Sequence, residues 1–173
     1  MKNPKYIEYH DNEWGKLRLD DAYLFEMLLL ESFQAGLSWE CVLNKREYFR
    51  DAFDFFDYEK ISLYGEEKVK ELTENPKIIR NKLKIKSSIE NAKIFIDIQN
   101  EYGSFLNYLK LFWDGNVIYD NVSLTSPISD SISKDMKNRG MKFLGSTVVQ
   151  SFLQAVGIIN AHTNECFLLK NNI

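Results

Sequence analysis

Residues 20–39 read DDAYLFEMLLLESFQAGLSW, and the apolar positions Leu24, Met27 and Leu28 fall on one helical stripe. The next position on that stripe, seven residues after Leu24, is Glu31. Asp20 or Asp21 can cap this helix and Gly36 ends it. A second helix is predicted from its cap Ser38 through Arg50, and Asp57 can cap a short helix closed by Gly65. Residues 65–73 predict another short helix with acidic residues in its first turn. Pro76 stops it, because the residue before a proline is pushed out of the helical region. Helix resumes after a tight turn, with an apolar stripe at Ile85, Ile89, Ala92 and Ile96 running to about Tyr102. Residues 104–113 predict a further helix ended by Asp114 and Gly115, and residues 116–128 are the least helical part. Ser129 or Ser131 caps a helix that ends near Gly140. Gly145 and Ser146 open the last one, whose Val148, Val149, Phe152, Ala155 and Val156 face a core. The first nineteen residues show neither alternation nor a sustained stripe; they read as an ordered arm packed by Tyr6, Tyr9 and Trp14. Capped amphipathic helices without a strand series predict an all-α fold.

Composition narrows the picture. A chain of 173 residues fits one domain spanning residues 1–173, and 45 % hydrophobic with 14 % aromatic residues supplies a core and excludes bulk disorder. Two cysteines, Cys41 and Cys166, cannot build a disulfide framework, which suits a reducing compartment. No run approaches the roughly eighteen apolar residues of a membrane span, and no signal-peptide core opens the chain. The expectation is a cytoplasmic protein without a membrane partner.

The net charge of −3 speaks against general polyanion binding, but it is unevenly spread. Lys77, Arg80, Lys82, Lys84 and Lys86 lie at the turn and the start of the following helix with no acid among them, leaving −8 for the rest. A tight hairpin offers backbone amides and a helix N-terminus to a phosphate while lysines supply counter-charge. The alternative is a solvated basic face. Lys134, Lys137, Arg139 and Lys142 form a second basic stretch interrupted by Asp135.

Two further features bear on chemistry. An unpaired carboxylate on a core-facing stripe costs several kcal/mol, so Glu31 needs a backbone amide, a proton or a wet cavity. Either it is a structural residue or it stands at the floor of an aromatic pocket. His10, His162 and Cys166 offer N and S donors to a metal such as zinc, with H-x3-C at the last two, one ligand short of a closed tetrahedral site; ordinary packing is the alternative. Cys41 falls in a helix interior and reads as core. No G-x-S-x-G, phosphate-loop or dinucleotide glycine motif is present, which argues against Ser-His-Asp and nucleotide-driven chemistry.

Several motifs in order carry a family resemblance: YHDNEWG at residues 9–15, LFEMLLLESFQAGLSW at 24–39, RGMKFLGSTVVQSFLQAVG at 139–157, and the closing H-x3-C. Together, from about Pro4 to Cys166, they resemble the DNA-3-methyladenine glycosylase I family. The resemblance implies a helix-hairpin-helix DNA glycosylase fold, with N- and C-terminal arms packed together and the hairpin element at about residues 66–86. It implies a monomeric, monofunctional base-excision enzyme that uses water to hydrolyse the N-glycosidic bond of 3-methyladenine in alkylated double-stranded DNA. Glu31 then holds the flipped base, Tyr9 and Trp39 are the aromatic walls, and Trp14 and Ser151 lie beside them. Lys77, Arg80, Lys82 and Lys84 face DNA, and His10, His162 and Cys166 match three of four zinc positions; the fourth, a cysteine before the arm, has no counterpart in this sequence. Lys77 and Leu83 stand where many members have glycines. The family lacks the catalytic aspartate of its superfamily, and no motif singles out Glu90 or Asp97 here. A different alkylated-base specificity and a non-catalytic lesion binder are the alternatives.

Overall fold

The computed structural model describes residues 3–170. Met1, Lys2 and the last three residues of the expected domain lie outside the described residues. Helices dominate as predicted, and their arrangement follows from one of them. In α2 (Asp21–Gln34) the Asp20 carboxylate accepts from the Tyr23 N–H at 3.0 Å, satisfying an otherwise orphaned donor. Beyond the cap, α2 is buried almost all round: Leu24, Met27, Leu30 and Phe33 are fully inaccessible. A helix apolar on every side has to lie inside the fold. Around α2 pack α3 (Trp39–Ala52), α6 (Lys82–Tyr102), α7 (Phe105–Leu109) and α9 (Ser146–Ala155). Each large apolar side chain buried there contributes roughly 1.5–3 kcal/mol.

The connecting elements match most of the expected caps. Ser38 caps α3 through the Cys41 N–H, and Asp57 caps α4 (Tyr58–Ser62) through Glu59 and Lys60. Helix α5 (Glu66–Glu74) ends before Pro76, and Asn81 opens α6, which runs 21 residues to Gly103. Gly103 takes a φ of +85°, open to glycine at little cost. The buried stripe of α6 passes through Ile85, Ile89 and Ala92 to Phe95 and Ile98, whereas Ile96 is only half-buried.

Three expectations change. The arm contains a helix, α1 (Pro4–Asn12): the Asn3 side chain caps it and Pro4 pre-sets its first turn. Helix α7 is shorter than residues 104–113, giving way to turns after Leu109. Helix α8 (Pro127–Asn138) is capped by Ser126, not Ser129 or Ser131, and Ser129 instead completes a reciprocal capping box. The least helical stretch holds β1 (Ile118–Tyr119), paired in parallel with β2 (Ile159–Asn160); a four-residue helix, α10 (Phe167–Lys170), follows.

The first described residues and the segment after α9 are both tied to the helical body. Asn3 Nδ2 donates to Glu40 and Asn44 of α3, and Glu13 accepts from Arg46 of the same helix. Past Gly15 the arm runs against Gly157, where a Cβ would stand 2.4 Å from the Leu17 nitrogen, and the Arg18 N–H donates to the Val156 carbonyl. The ladder of β1 and β2 holds the C-terminal segment opposite α1.

Candidate functional site

A cavity of about 390 Å³ lies among α1, α2, the start of α3, α9 and the segment after β2. That volume falls in the range of small-molecule sites. Its walls bring together residues predicted from distant parts of the sequence: Tyr9 and His10 from α1, Trp14 behind it, Glu31, Trp39, Ser151, His162 and Cys166. The Tyr9 and Trp39 rings stand 5.4 Å apart at 45°. Trp14 packs edge-on against His162 at 4.7 Å, so it backs the histidines while it lines the cavity.

Glu31 has no compensating partner. It is 3 % exposed, and its Oε2 has no hydrogen-bond partner among the described residues. The Tyr9 hydroxyl, Trp39 Nε1 and His162 Nε2 share that condition. Native proteins pair most buried polar atoms, so four orphans on one cavity mark a place that receives its partners from outside. Burial pushes the Glu31 carboxyl up to about 8. The Tyr9 hydroxyl is raised as well, by burial first and then by Glu31. The structural reading of Glu31, a bond to a neighbouring amide, is not what the geometry gives.

The three N and S donors converge within 4.8 Å of one another, with Cys166 Sγ 3.8 Å from His10 Nε2. Both rings are oriented from behind: His10 Nδ1 meets Asp11 Oδ1 at 2.8 Å, and His162 Nδ1 meets Asn160 Oδ1 at 2.9 Å. Each Nε2 therefore points toward the cluster, the arrangement that outer hydrogen bonds give metal-ligating histidines. Burial, followed by His10 and Lys16, lowers the His162 pKa, which favours the neutral ring. Gly15, at φ +72°, lets the backbone pass the His162 ring, since a Cβ there would lie 2.6 Å from Cε1. Cys41 stands apart, half-buried in the first turn of α3 and not in the core.

The basic hairpin divides. Lys77, Arg80 and Lys82 are exposed at the turn between α5 and α6. Lys77 reaches over the Tyr48 ring at 5.4 Å, and Arg80 and Lys82 make no ion pair among the described residues. Lys84 is different. It is 6 % exposed and its ammonium donates to the Phe33 and Ala35 carbonyls at 2.8 and 2.6 Å. Its ammonium is engaged in closing the C-terminus of α2, unlike the exposed Lys77, Arg80 and Lys82 with which it was grouped. Burial lowers its pKa. In the second basic stretch Arg139 pairs with Glu101 and Asp135 and lies over Tyr102, a structural arrangement.

Five lining residues were not foreseen: Tyr6, Gln34, Gln154, Ala161 and Thr163. Three of them sit three positions from a predicted residue on the same helix, Tyr6 with Tyr9, Gln34 with Glu31, Gln154 with Ser151. That spacing places them on the same face and was the available signal.

Known proteins share this arrangement. The Methyladenine glycosylase family model matches residues 1–169. DNA-3-methyladenine glycosylase 1 of Escherichia coli is 39 % identical over 177 residues, 99 % of this chain and 95 % of that protein. A crystal structure of 3-methyladenine DNA glycosylase I superposes with a TM-score of 0.93 at 41 % identity, covering 96 % of this chain and 95 % of that one. The Staphylococcus aureus enzyme, whose structure concerns 3-methyladenine recognition, also gives 0.93, at 34 % identity over 96 % and 92 % of the two chains. With the family model, the relatives and the superposed structures in agreement along nearly its whole length, the chain belongs to the methyladenine glycosylase family.

Proposed function

We propose that the protein is a base-excision DNA glycosylase that hydrolyses the N-glycosidic bond of 3-methyladenine in alkylated double-stranded DNA, acting as a monomer in the cytoplasm. The observation that carries this reading is a buried, unpartnered carboxylate sharing one cavity with two aromatic rings. An enzyme working on a base in a duplex takes it out of the stack, and an extruded base is well held against π-faces such as those of Tyr9 and Trp39. The alkylated base is cationic. Glu31, mostly protonated alone at pH 7, ionises when a cation enters, because a positive charge at hydrogen-bond distance outweighs the burial penalty. Neutral adenine gives no such return, so selectivity resides in charge. Water then adds at the anomeric carbon, the electron pair of the broken bond returns to the ring and neutralises it, and one water proton goes to solvent. A cation is a good leaving group, and little acid catalysis is asked of the protein.

Lys77, Arg80 and Lys82 are assigned to DNA phosphates, with α5, the turn and the start of α6 serving as the helix-hairpin-helix element. Removing one such cation is expected to weaken binding to all sequences and lower the salt slope by about one. His10, His162 and Cys166 are assigned to zinc. Ligands at about 2.1 and 2.3 Å subtending a tetrahedral angle stand about 3.6 Å apart, close to the His10–Cys166 separation. When bound, zinc supplies a staple between the arm and the C-terminal segment.

The test is release of free 3-methyladenine from methylated duplex DNA. The expected result is multiple-turnover release leaving abasic sites, with no borohydride-trapped adduct. Glu31→Gln should cut kcat/KM by about 10²-fold, the usual effect of removing one preorganised electrostatic group. Tight binding to an abasic duplex with no base released would instead establish the non-catalytic lesion binder.

A further inference from the structure

His10, His162 and Cys166 lie close to one another, and all three also line the cavity that holds Glu31. Among the described residues no fourth histidine, cysteine or carboxylate joins them. Asp11 spends Oδ1 on His10 Nδ1, on the far side of the ring from the donor atom. Cys41 does not line the cavity. Three protein ligands and one free position is the pattern of zinc sites that exchange ligands, whereas sites that only brace a fold are closed by a fourth side chain.

Resting on the zinc assignment above, we propose that the fourth coordination position of this metal opens into the base cavity and takes an exchangeable small donor, of the azole, azide or thiolate class. The cavity then has two anchors. Glu31 and the aromatic pair hold a base, and the metal holds a nitrogen or sulfur donor entering from the same side. Glu31, Tyr9 and Trp39 line the same cavity as the three donors, so a bicyclic azole on the metal and a purine on Glu31 compete for it.

The test uses the full chain loaded with Co²⁺, whose visible absorption reports coordination. The zinc assignment requires one cobalt per chain and a thiolate-to-cobalt band that disappears in Cys166→Ser. Azide and benzotriazole should each shift the visible bands saturably. Free 3-methyladenine at about ten times its own Kd should raise the apparent benzotriazole Kd about tenfold. Stoichiometric cobalt with the thiolate band and no response to either donor overturns the open position while leaving the metal site standing. A shift indifferent to 3-methyladenine overturns its placement in the base cavity. Failure to bind one cobalt overturns the zinc assignment itself and the proposal with it.

Discussion

Glu26 and Glu31 lie five residues apart on α2, about 140° around the helix, and both are shielded from water, yet the chain treats them oppositely. Glu26 Oε1 accepts from Arg46 Nε at 2.7 Å and from Arg50 at 2.8 Å. Arg46 in turn reaches Glu13 at 2.7 Å, and Glu13 also accepts from the Tyr23 hydroxyl. Burial works against the Arg46 charge, but the Glu13 bond and the nearby Glu26 overcome it and hold the guanidinium above its usual value. Burial likewise pulls the Glu13 carboxyl upward, and Arg46 more than reverses this. Glu31, with nothing opposite it, is pushed up to about 8. The difference separates two uses of a buried charge. One is spent inside the fold, tying the arm to α2 and α3; the other waits for a charge that the fold does not contain.

The largest effect should come from breaking the satisfied side. Arg46→Met leaves two partly buried carboxylates unpaired, and removing one partner of such a set costs about 3–5 kcal/mol. Urea unfolding should show that loss, and base release should fall too, because Glu13 anchors the segment that carries Tyr9, His10 and Trp14. A loss under about 1 kcal/mol would mean that the network is a surface feature. Glu31→Gln should act with the opposite sign. The native state keeps the Glu31 proton up to about 8, whereas the unfolded carboxyl releases it near 4.5. Glu31 therefore lowers stability progressively as pH rises through that window, by about 1.4 kcal/mol per pH unit. Urea midpoints should show Glu31→Gln gaining on the parent by about 3–4 kcal/mol between pH 5 and pH 8, while its activity collapses. Parallel stability profiles for the two proteins would show that Glu31 finds a partner inside the fold.

Whether a feature was legible depended on whether its cause was local. The caps Asp20, Ser38 and Asp57 are read correctly because a side chain bonds an amide two or three residues away. Helices α1 and α8 were misjudged at one shared signal, a capping side chain followed at once by proline, Asn3–Pro4 and Ser126–Pro127. Apolar stripes found α2 and α6 but not their fine phase, so Ile96 was placed where Phe95 and Ile98 carry the core. The cavity was legible only through motif resemblance, since Tyr9, Glu31, Trp39, Ser151 and His162 converge through packing. The Arg46 network left no trace in local pattern: its partners lie 20 and 33 residues away.

Lys84 supplies an intermediate case, a buried cation whose partners are two carbonyls and no acid. It shares the inward face of α6 with Ser88, Asn91 and Phe95, at the 3.6-residue phase that puts it inside, while Lys82 stays in solvent. Lys84→Met keeps the aliphatic stem and leaves the two α2 carbonyls unpaired, for an expected loss of about 2 kcal/mol. Lys82→Met should leave stability within about 0.5 kcal/mol and weaken DNA binding instead. The pair of variants separates the scaffold lysine from the one assigned to DNA phosphates, and equal stability losses would merge them.

The smallest effects fall on two tyrosines, which isolate the comparison at the level of one oxygen. The Tyr23 hydroxyl donates to Glu13 at 2.9 Å, inside the satisfied network. The Tyr9 hydroxyl is buried and donates to nothing among the described residues. Tyr23→Phe removes a bond to a charged acceptor, worth about 1.5 kcal/mol at a carboxylate that still touches solvent. Tyr9→Phe removes a hydroxyl whose desolvation was never repaid, so stability should hold or rise by up to about 1 kcal/mol. The activity effects should run the other way, with Tyr9→Phe raising KM for methylated DNA and Tyr23→Phe leaving it unchanged. If both substitutions cost the same stability, the Tyr9 oxygen has a partner inside the fold, and the distinction between spent and waiting polar groups fails at its most direct test.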